Sequence, residues 1–483
     1  MTLTASADLQ ARLDGVALIR GDRLEVTDER RFRNELVDGL VSDAVFAADS
    51  DLRDAARWVI WSASQALGCG SASIHELYVA RGRGEMDATR FTVPAINVRA
   101  AAYLTARQAF AAALERDAAT VIFEIAKSEM AYTEQRPDEY AAVILAAALR
   151  EGWRTPVFLQ GDHFQFNATK WAADAPAELE GLRDLTREAV AAGFLNVDID
   201  SSTLVDLSQA TVADQQRVNA ENTVELTRLI RDLQPSGVTV SIGGEIGEVG
   251  KANSTEDELR AYLDGYRGML GEGVDGISKV SVQTGTSHGG VPMPDGSVAE
   301  VKIDFDTLRR LSAVARDEYG LAGAVQHGAS TLQEEAFHHF PVNGTAEIHL
   351  ATGFQNILYD GGGLPDDLRA EMMAWCNANA ADERKAGETD EQFLYKTRKK
   401  ALGPFKRALW TLPADAATQI GANLRAKFGL LFDELGIAGT RDIVERHVPA
   451  VAVPRPRPAS LGGDASRTFS AGPSVFDDDG SGE

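Results

Sequence analysis

Asp162 and His163 follow one short apolar run of the chain. His288 stands in a Gly285-Thr286-Ser287-His288-Gly289-Gly290 turn after a second run, and His327 opens His327-Gly328-Ala329-Ser330 after a third. A further run ends in Gly244-Glu245-Ile246-Gly247. Three imidazoles and a carboxylate brought to one rim form a ligand set for a divalent metal. Zinc comes first, because neutral imidazole nitrogen suits it and a catalytic site leaves one position for substrate. A cation there acts as a Lewis acid on a carbonyl or enediolate oxygen. Asp162, directly beside one imidazole, is read as a proton-transfer group rather than a helix cap. The Gly289-Gly290 and Gly328-Ala329-Ser330 turns let backbone N–H groups approach an anion. Each residue alone has a plainer reading: a strand-end histidine is usually hydrogen-bonded packing, Glu245 would sit as well on a surface, and glycine serves turns of every kind. The conjunction is what points to chemistry.

Convergence of residues so far apart in sequence requires a scaffold that carries strand ends to one face. Eight β-branched runs occur, over residues 92–98, 119–126, 155–161, 194–200, 238–244, 276–284, 322–326 and 345–352. Amphipathic stretches separate them, among them 100–116, 138–152 and 222–233. Nearly continuous apolar strands alternating with helices demand a parallel sheet covered on its outer face. Eight such units in series predict a closed (β/α)8 TIM barrel over residues 91–362, whose reactive groups lie at the carboxyl ends of the strands. The first βα turn has no G-x-G-x-x-G, which weakens a dinucleotide-binding reading. Residues 1–90 are expected to form a helical lead-in, most clearly at 51–67, and residues 363–448 a helical extension. The Pro-, Gly-, Ser- and Asp-rich residues 449–483 are expected to be a disordered tail.

Composition narrows the function. The 483 residues hold 48 Lys+Arg against 72 Asp+Glu, for a formal charge of −24, with 44% hydrophobic residues. That hydrophobic fraction supports a large core. The negative charge argues against nucleic acid or an anionic bilayer as partner, since both require a positive face. A small anionic substrate remains compatible if its pocket is locally positive. Cys69 and Cys376 form neither a disulfide framework nor a Cys-rich zinc site. No signal peptide or apolar span is legible, so a cytoplasmic location is expected, with a homo-oligomer as the assembly.

At these residues the sequence resembles the class II, metal-dependent fructose-bisphosphate aldolases and their ketose-bisphosphate relatives. The colinear matches are VPAINV, FLQGDHF for the family's Leu-His-x-Asp-His, NVDIDSS for Met-Ile-Asp-Gly-Ser, and GGEIG for Glu-Leu-Gly. GTSHGG followed by VKIDFDTLRRL, and AVQHGAS for His-Gly-Gly-Ser, complete the set, spanning about residues 92–355. The resemblance implies His163, His288 and His327 as zinc ligands, with Glu245 at a second-metal position where another divalent or a monovalent cation would bind. It implies Asp162 as the group exchanging a proton with a substrate C4 hydroxyl, and Gly289, Gly328, Ser330 and Thr352 as phosphate-binding residues. The implied reaction is reversible cleavage of a ketose bisphosphate, with zinc stabilising the enediolate of dihydroxyacetone phosphate.

Two departures stand out. Where the family's eighth strand reads Lys-Ile-Asn-Ile-Asp-Thr-Asp, this chain has Glu347-Ile348-His349-Leu350-Ala351-Thr352-Gly353, which removes a phosphate-gripping Asn. The family's mobile Glu is displaced, and Glu248 is the substitute that the local sequence offers. His349 is read as pocket-lining rather than as a fourth ligand. Lys127-Ser128, Arg81, Arg83 and the basic run Lys396, Arg398, Lys399, Lys400, Lys406 and Arg407 are either solvated or reach over the site to a distal phosphate. Three functions compete: a zinc-dependent aldolase acting on a phosphorylated ketose, foremost fructose 1,6-bisphosphate; a metal-dependent sugar epimerase on the same barrel; and a non-catalytic subunit that kept the fold. Retention of Asp162 and all three histidines argues against the third.

Overall fold

A computed structural model describes residues 5–247, 252–285, 302–329 and 332–464. All eight expected strands form: β1 (Val93–Asn97), β2 (Ile122–Ala126), β3 (Val157–Gln165), β4 (Asn196–Asp200), β5 (Ser241–Glu245), β6 (Lys279–Val282), β7 (Ala324–Gln326) and β8 (Glu347–Leu350). Each pairs in parallel with the next, and β8 returns to β1 through Ile348 opposite Pro94 and Leu350 opposite Ile96. The sheet therefore closes into an eight-stranded parallel barrel surrounded by helices, a (β/α)8 TIM barrel. The strands are buried on both faces, as a helix-covered parallel sheet requires. Helix entries are set by local chemistry: Asp174 and Thr211 accept from backbone N–H groups three residues on, and Thr255 with Glu258 forms a capping box.

The lead-in is helical at Ala5–Leu13, Val37–Phe46, Ser50–Ala66 and His75–Gly82, but it also holds an antiparallel hairpin, Ala17–Arg20 with Arg23–Val26. Its two-residue Gly21-Asp22 turn, with Gly21 at φ +61°, is the signal that a helical reading passed over. The His75–Gly82 helix closes the amino-terminal end of the barrel. Its Tyr78 hydroxyl donates to Glu347 inside the barrel, and its Arg81 donates to the carbonyls of Phe91, Ala88 and Thr345. Arg81 is thus a buried clamp at the strand starts, on the side away from the strand ends where substrate was expected.

The extension forms helices at Asp366–Asn379, Asp390–Thr397, Ala414–Glu434 and Arg441–His447. Ala414–Glu434 packs on the Ala102–Leu114 helix between β1 and β2, and its Phe428 ring lies 4.6 Å from Phe354, just after β8. The expectation of disorder from residue 449 is corrected for 449–464. The Trp58 indole donates to the Arg455 carbonyl at 3.1 Å and the Trp61 indole to the Val453 carbonyl at 2.8 Å. The Arg455 guanidinium lies 3.6 Å over the Trp61 ring and bonds Asp138. Prolines around Arg455 pre-extend this strap, which lowers the entropy of docking it. Residues 465–483 lie outside the described part. Among the described residues no helix is long and apolar enough to cross a membrane.

Candidate active site at the carboxyl ends of the strands

Asp162 and His163 sit where β3 loses register with β4, between Gly161 and Phe164, and His163 adopts φ +39°. A regular strand would send consecutive side chains to opposite faces. The bulge and the left-handed residue turn both into the barrel mouth, a strained arrangement of the kind found beside active sites. Gly161 admits the bulge, because a Cβ there would lie 2.5 Å from the Phe164 ring.

His327 arrives from the end of β7, its ring centroid 4.0 Å from that of His163, with Nε2 3.7 Å from Asp162 Oδ1. The His163 Nδ1 lies 3.2 Å from Glu245 Oε2 at the end of β5 and 3.3 Å from Asp200 Oδ2 at the end of β4. The structure therefore brings Asp162, His163, His327 and Glu245 together. Two ligand-capable groups overlap at His163: Asp162, His163 and His327 form one, and His163, Asp200 and Glu245 the other, with donor atoms within 4.8 Å of one another in each. A set of imidazole nitrogens and carboxylate oxygens fits zinc or a similar divalent cation. Gly328, at φ +68°, follows His327, and Thr352 begins the Thr352–Asp360 helix after β8, its hydroxyl accepting from Arg99. Glu248, His288, Gly289 and Ser330 lie outside the described residues.

The electrostatics are those of a dense buried charge cluster. Burial alone would raise the Asp162 carboxyl, but the His163 and His349 charges outweigh it and hold it well below its ordinary range. Burial would lower His163, yet Asp162 and Glu245 hold its proton on. His327 is pushed well down by burial and by the His163 and His349 charges beside it. Glu245 is raised to about 7, chiefly by burial and by Asp200. Ligation requires neutral imidazoles, so binding a cation at this set is coupled to proton release.

Sequence reasoning passed over several participants. Asp200 ends β4 and is held by Gln165, by the Ser202 N–H and by the Ser202 hydroxyl; the strand-end rule that found Glu245 would have found it. Asn97, at the end of β1, donates from Nδ2 to Asp162 Oδ2 at 3.0 Å and to Glu129 at 2.8 Å. Glu129 in turn pairs with Arg99 at 2.5 Å. Below the rim, Lys279 donates to Gln160 at 2.8 Å, to Asp198 at 2.9 Å and to Glu347. Gly243 leaves the space that Asp198 and Lys279 fill. His349 is more than pocket lining: Nδ1 lies 3.0 Å from Asp162 Oδ1 and Nε2 2.7 Å from Glu347 Oε1. Glu124, Asp198, Glu347 and His349 also lie within ligating distance of one another, but the Lys279 ammonium already supplies positive charge there.

Several of the other cations are engaged in structure. Lys127 bonds the Gln165 carbonyl and Glu178. Arg398 pairs with Asp360 and stacks on Tyr359 and Tyr395, Lys400 bonds Glu383, and Lys406 bonds Glu139.

The solved structures that match this architecture include two that illustrate the likeness. A probable tagatose 6 phosphate kinase from Sinorhizobium meliloti 1021 is 19% identical, with a TM-score of 0.50, over 77% of this chain and 96% of that one. The fructuronate-tagaturonate epimerase UxaE from Cohnella laeviribosi is 13% identical, with a TM-score of 0.52, over 87% of this chain and 93% of that one. At such identities the likeness is one of fold. No curated protein matches by sequence. The family model described as fructose-bisphosphate aldolase class-II matches residues 84–408, well over half of the chain. With the barrel closed and the Asp-His and His-Gly pairs at its carboxyl rim, the chain belongs to the class II fructose-bisphosphate aldolase family.

Proposed function

We propose that the protein is a zinc-dependent aldolase that reversibly cleaves a ketose bisphosphate, foremost fructose 1,6-bisphosphate, to dihydroxyacetone phosphate and glyceraldehyde 3-phosphate. The convergence of Asp162, His163, His327, Asp200 and Glu245 from four different strands on one buried rim carries this reading.

His163 and His327 would hold the cation together with His288, and Asp200 and Glu245 stand beside His163 to orient it or to take a second ion. A cation so held supplies Lewis acidity to the substrate carbonyl oxygen. The Asp162 carboxylate accepts the C4 hydroxyl proton as the C3–C4 bond breaks, and the electron pair moves toward the carbonyl. Asn97 Nδ2 holds one of its oxygens at 3.0 Å, which restrains Asp162 as it meets the hydroxyl. A second proton must reach C3 to complete dihydroxyacetone phosphate, and Glu248 is assigned that transfer. Gly328, with Gly289 and Ser330, receives the phosphate next to the ketone. Thr352, at an N-terminal helix turn that no side chain caps and with Arg99 on its hydroxyl, completes that pocket.

One observation favours a second reading. The eighth strand carries buried His349 in place of a phosphate-gripping Asn, so the phosphate contacts differ from the family pattern. A metal-dependent sugar epimerase would tolerate that change. Zinc-loaded protein incubated with fructose 1,6-bisphosphate separates the two: trapped triose phosphate supports the aldolase, whereas an isomeric sugar without triose supports the epimerase. Inactivity toward phosphorylated and carboxylated ketoses alike, in metal-loaded protein, would sink both.

A further inference from the structure

The barrel interior holds a second layer of charge, below the ligand set, that the reaction above does not use. We propose that His349 is a positioning residue, whose imidazole fixes the Asp162 carboxylate while Glu347 fixes the imidazole from behind. The proposal rests on the reading of Asp162 as proton acceptor.

Both ring nitrogens of His349 are committed to carboxylates. Nδ1 lies 3.0 Å from Asp162 Oδ1 and 3.2 Å from Glu124 Oε1, and Nε2 lies 2.7 Å from Glu347 Oε1. A histidine that only filled space would have no reason to be held at both ends, and one that ligated a cation would need a nitrogen to spare. Glu347 is itself immobilised: it accepts from the Tyr78 hydroxyl, from Gln160 Nε2 at 2.8 Å and from the Lys279 ammonium. A carboxylate taking that many donors is ionised and cannot swing. It is a fixed post on β8, two residues before the imidazole it holds. The ring is further confined by His327, whose centroid lies 4.1 Å away at 65°.

The consequence is geometric. Asn97 Nδ2 holds Asp162 Oδ2 at 3.0 Å while His349 holds Oδ1, so the carboxylate plane is set from both sides. Reacting groups displaced by about 1 Å lose on the order of 10²-fold in rate, and a group is held to such tolerance when its supports are themselves supported. The sequence Tyr78, Glu347, His349, Asp162 is such a chain of supports, running from the plug helix at the bottom of the barrel to its catalytic rim.

Two measurements on the full chain test this. In histidine-selective 15N NMR of the metal-free protein, one imidazole should shift in both Asp162→Asn and Glu347→Gln, because His349 touches both carboxylates. Absence of any histidine that responds to both overturns the proposal. In the zinc-loaded enzyme, His349→Asn should lower kcat at least about tenfold, as removal of a group supporting a catalytic residue does, with KM within twofold and zinc content unchanged. Unchanged kcat in His349→Asn, with Asp162→Asn inactive, overturns the proposal alone. Full turnover by Asp162→Asn overturns it together with the reading it rests on. A raised KM with kcat unchanged, or zinc loss in step with activity, overturns it in favour of a substrate contact or a ligand.

Discussion

Asp162 and His163 are neighbours in the chain on a strand whose pleat should part them, yet both face the barrel mouth, with Asp162 Oδ1 3.8 Å from His163 Nε2. The bulge after Gly161 makes this possible. Gly161→Ala would drive a methyl into the Phe164 ring. The expected loss is about 1–3 kcal/mol, as for other overpacked cores, read from a lowered denaturant midpoint, and zinc binding should weaken with it. A variant of unchanged midpoint and metal affinity would remove the bulge from the account.

Removing the proposed proton acceptor should leave binding of the proposed metal in place. Asp162→Asn is expected to cut kcat by roughly 10²–10⁴-fold, the usual contribution of a positioned acid or base, with zinc content unchanged by elemental analysis. Retained turnover would reassign the role of Asp162.

Asp200 Oδ2 lies 3.3 Å from His163 Nδ1. Burial would raise its carboxyl, but hydrogen bonds from His163, Ser202 and Gln165 outweigh burial and keep it lowered, hence anionic. Asp200→Asn should weaken zinc binding by about 10–100-fold, as loss of a histidine's supporting carboxylate does. Competition with a chelator measures this, and an unchanged zinc affinity would mean that Asp200 does not orient the ligand.

His75 makes stability depend on pH. Burial, with the Arg231 charge adding to it, lowers its pKa to about 4 from the ordinary imidazole value near 6.5. Between those values the unfolded chain binds a proton that the folded chain refuses, so stability is full above about pH 6.5 and falls as pH drops toward 4. The shift corresponds to about 3 kcal/mol at most. Chemical denaturation of wild type and His75→Leu across pH 4–7 should show a shallower acid loss in the variant. Parallel curves would assign the acid sensitivity to other groups.

The fold was legible because each strand carries its own apolar run and each helix its own spacing, local signals that eight repetitions reinforce. Asp162, His163, His327 and Glu245 were legible because a barrel sends strand ends to one face. What could not be read is whatever depends on closure. Lys279, Glu347 and Gln160 look unremarkable in sequence and meet because β6, β8 and β3 surround one axis. His349 was placed on the pocket wall because nothing local tells that two carboxylates hold it. The Gly21-Asp22 hairpin was a different kind of miss, since its turn is local and was outweighed by the helical spacing read at 51–67. The strap at 449–464 defeated a compositional rule: its prolines suit an extended ligand as well as a disordered tail, and its partners, Trp58 and Trp61, lie at the other end of the sequence.

That strap sets the order in which the molecule can be completed. Its two indole hydrogen bonds join residues 397 and 392 positions apart. At a synthesis rate of about 5–20 residues per second, Trp58 and Trp61 wait roughly 20–80 s for their partners to leave the ribosome. During that interval the lead-in lacks the segment that covers its two large aromatic side chains. The nascent chain is therefore most open to chaperones, and to aggregation, before its last described segment arrives.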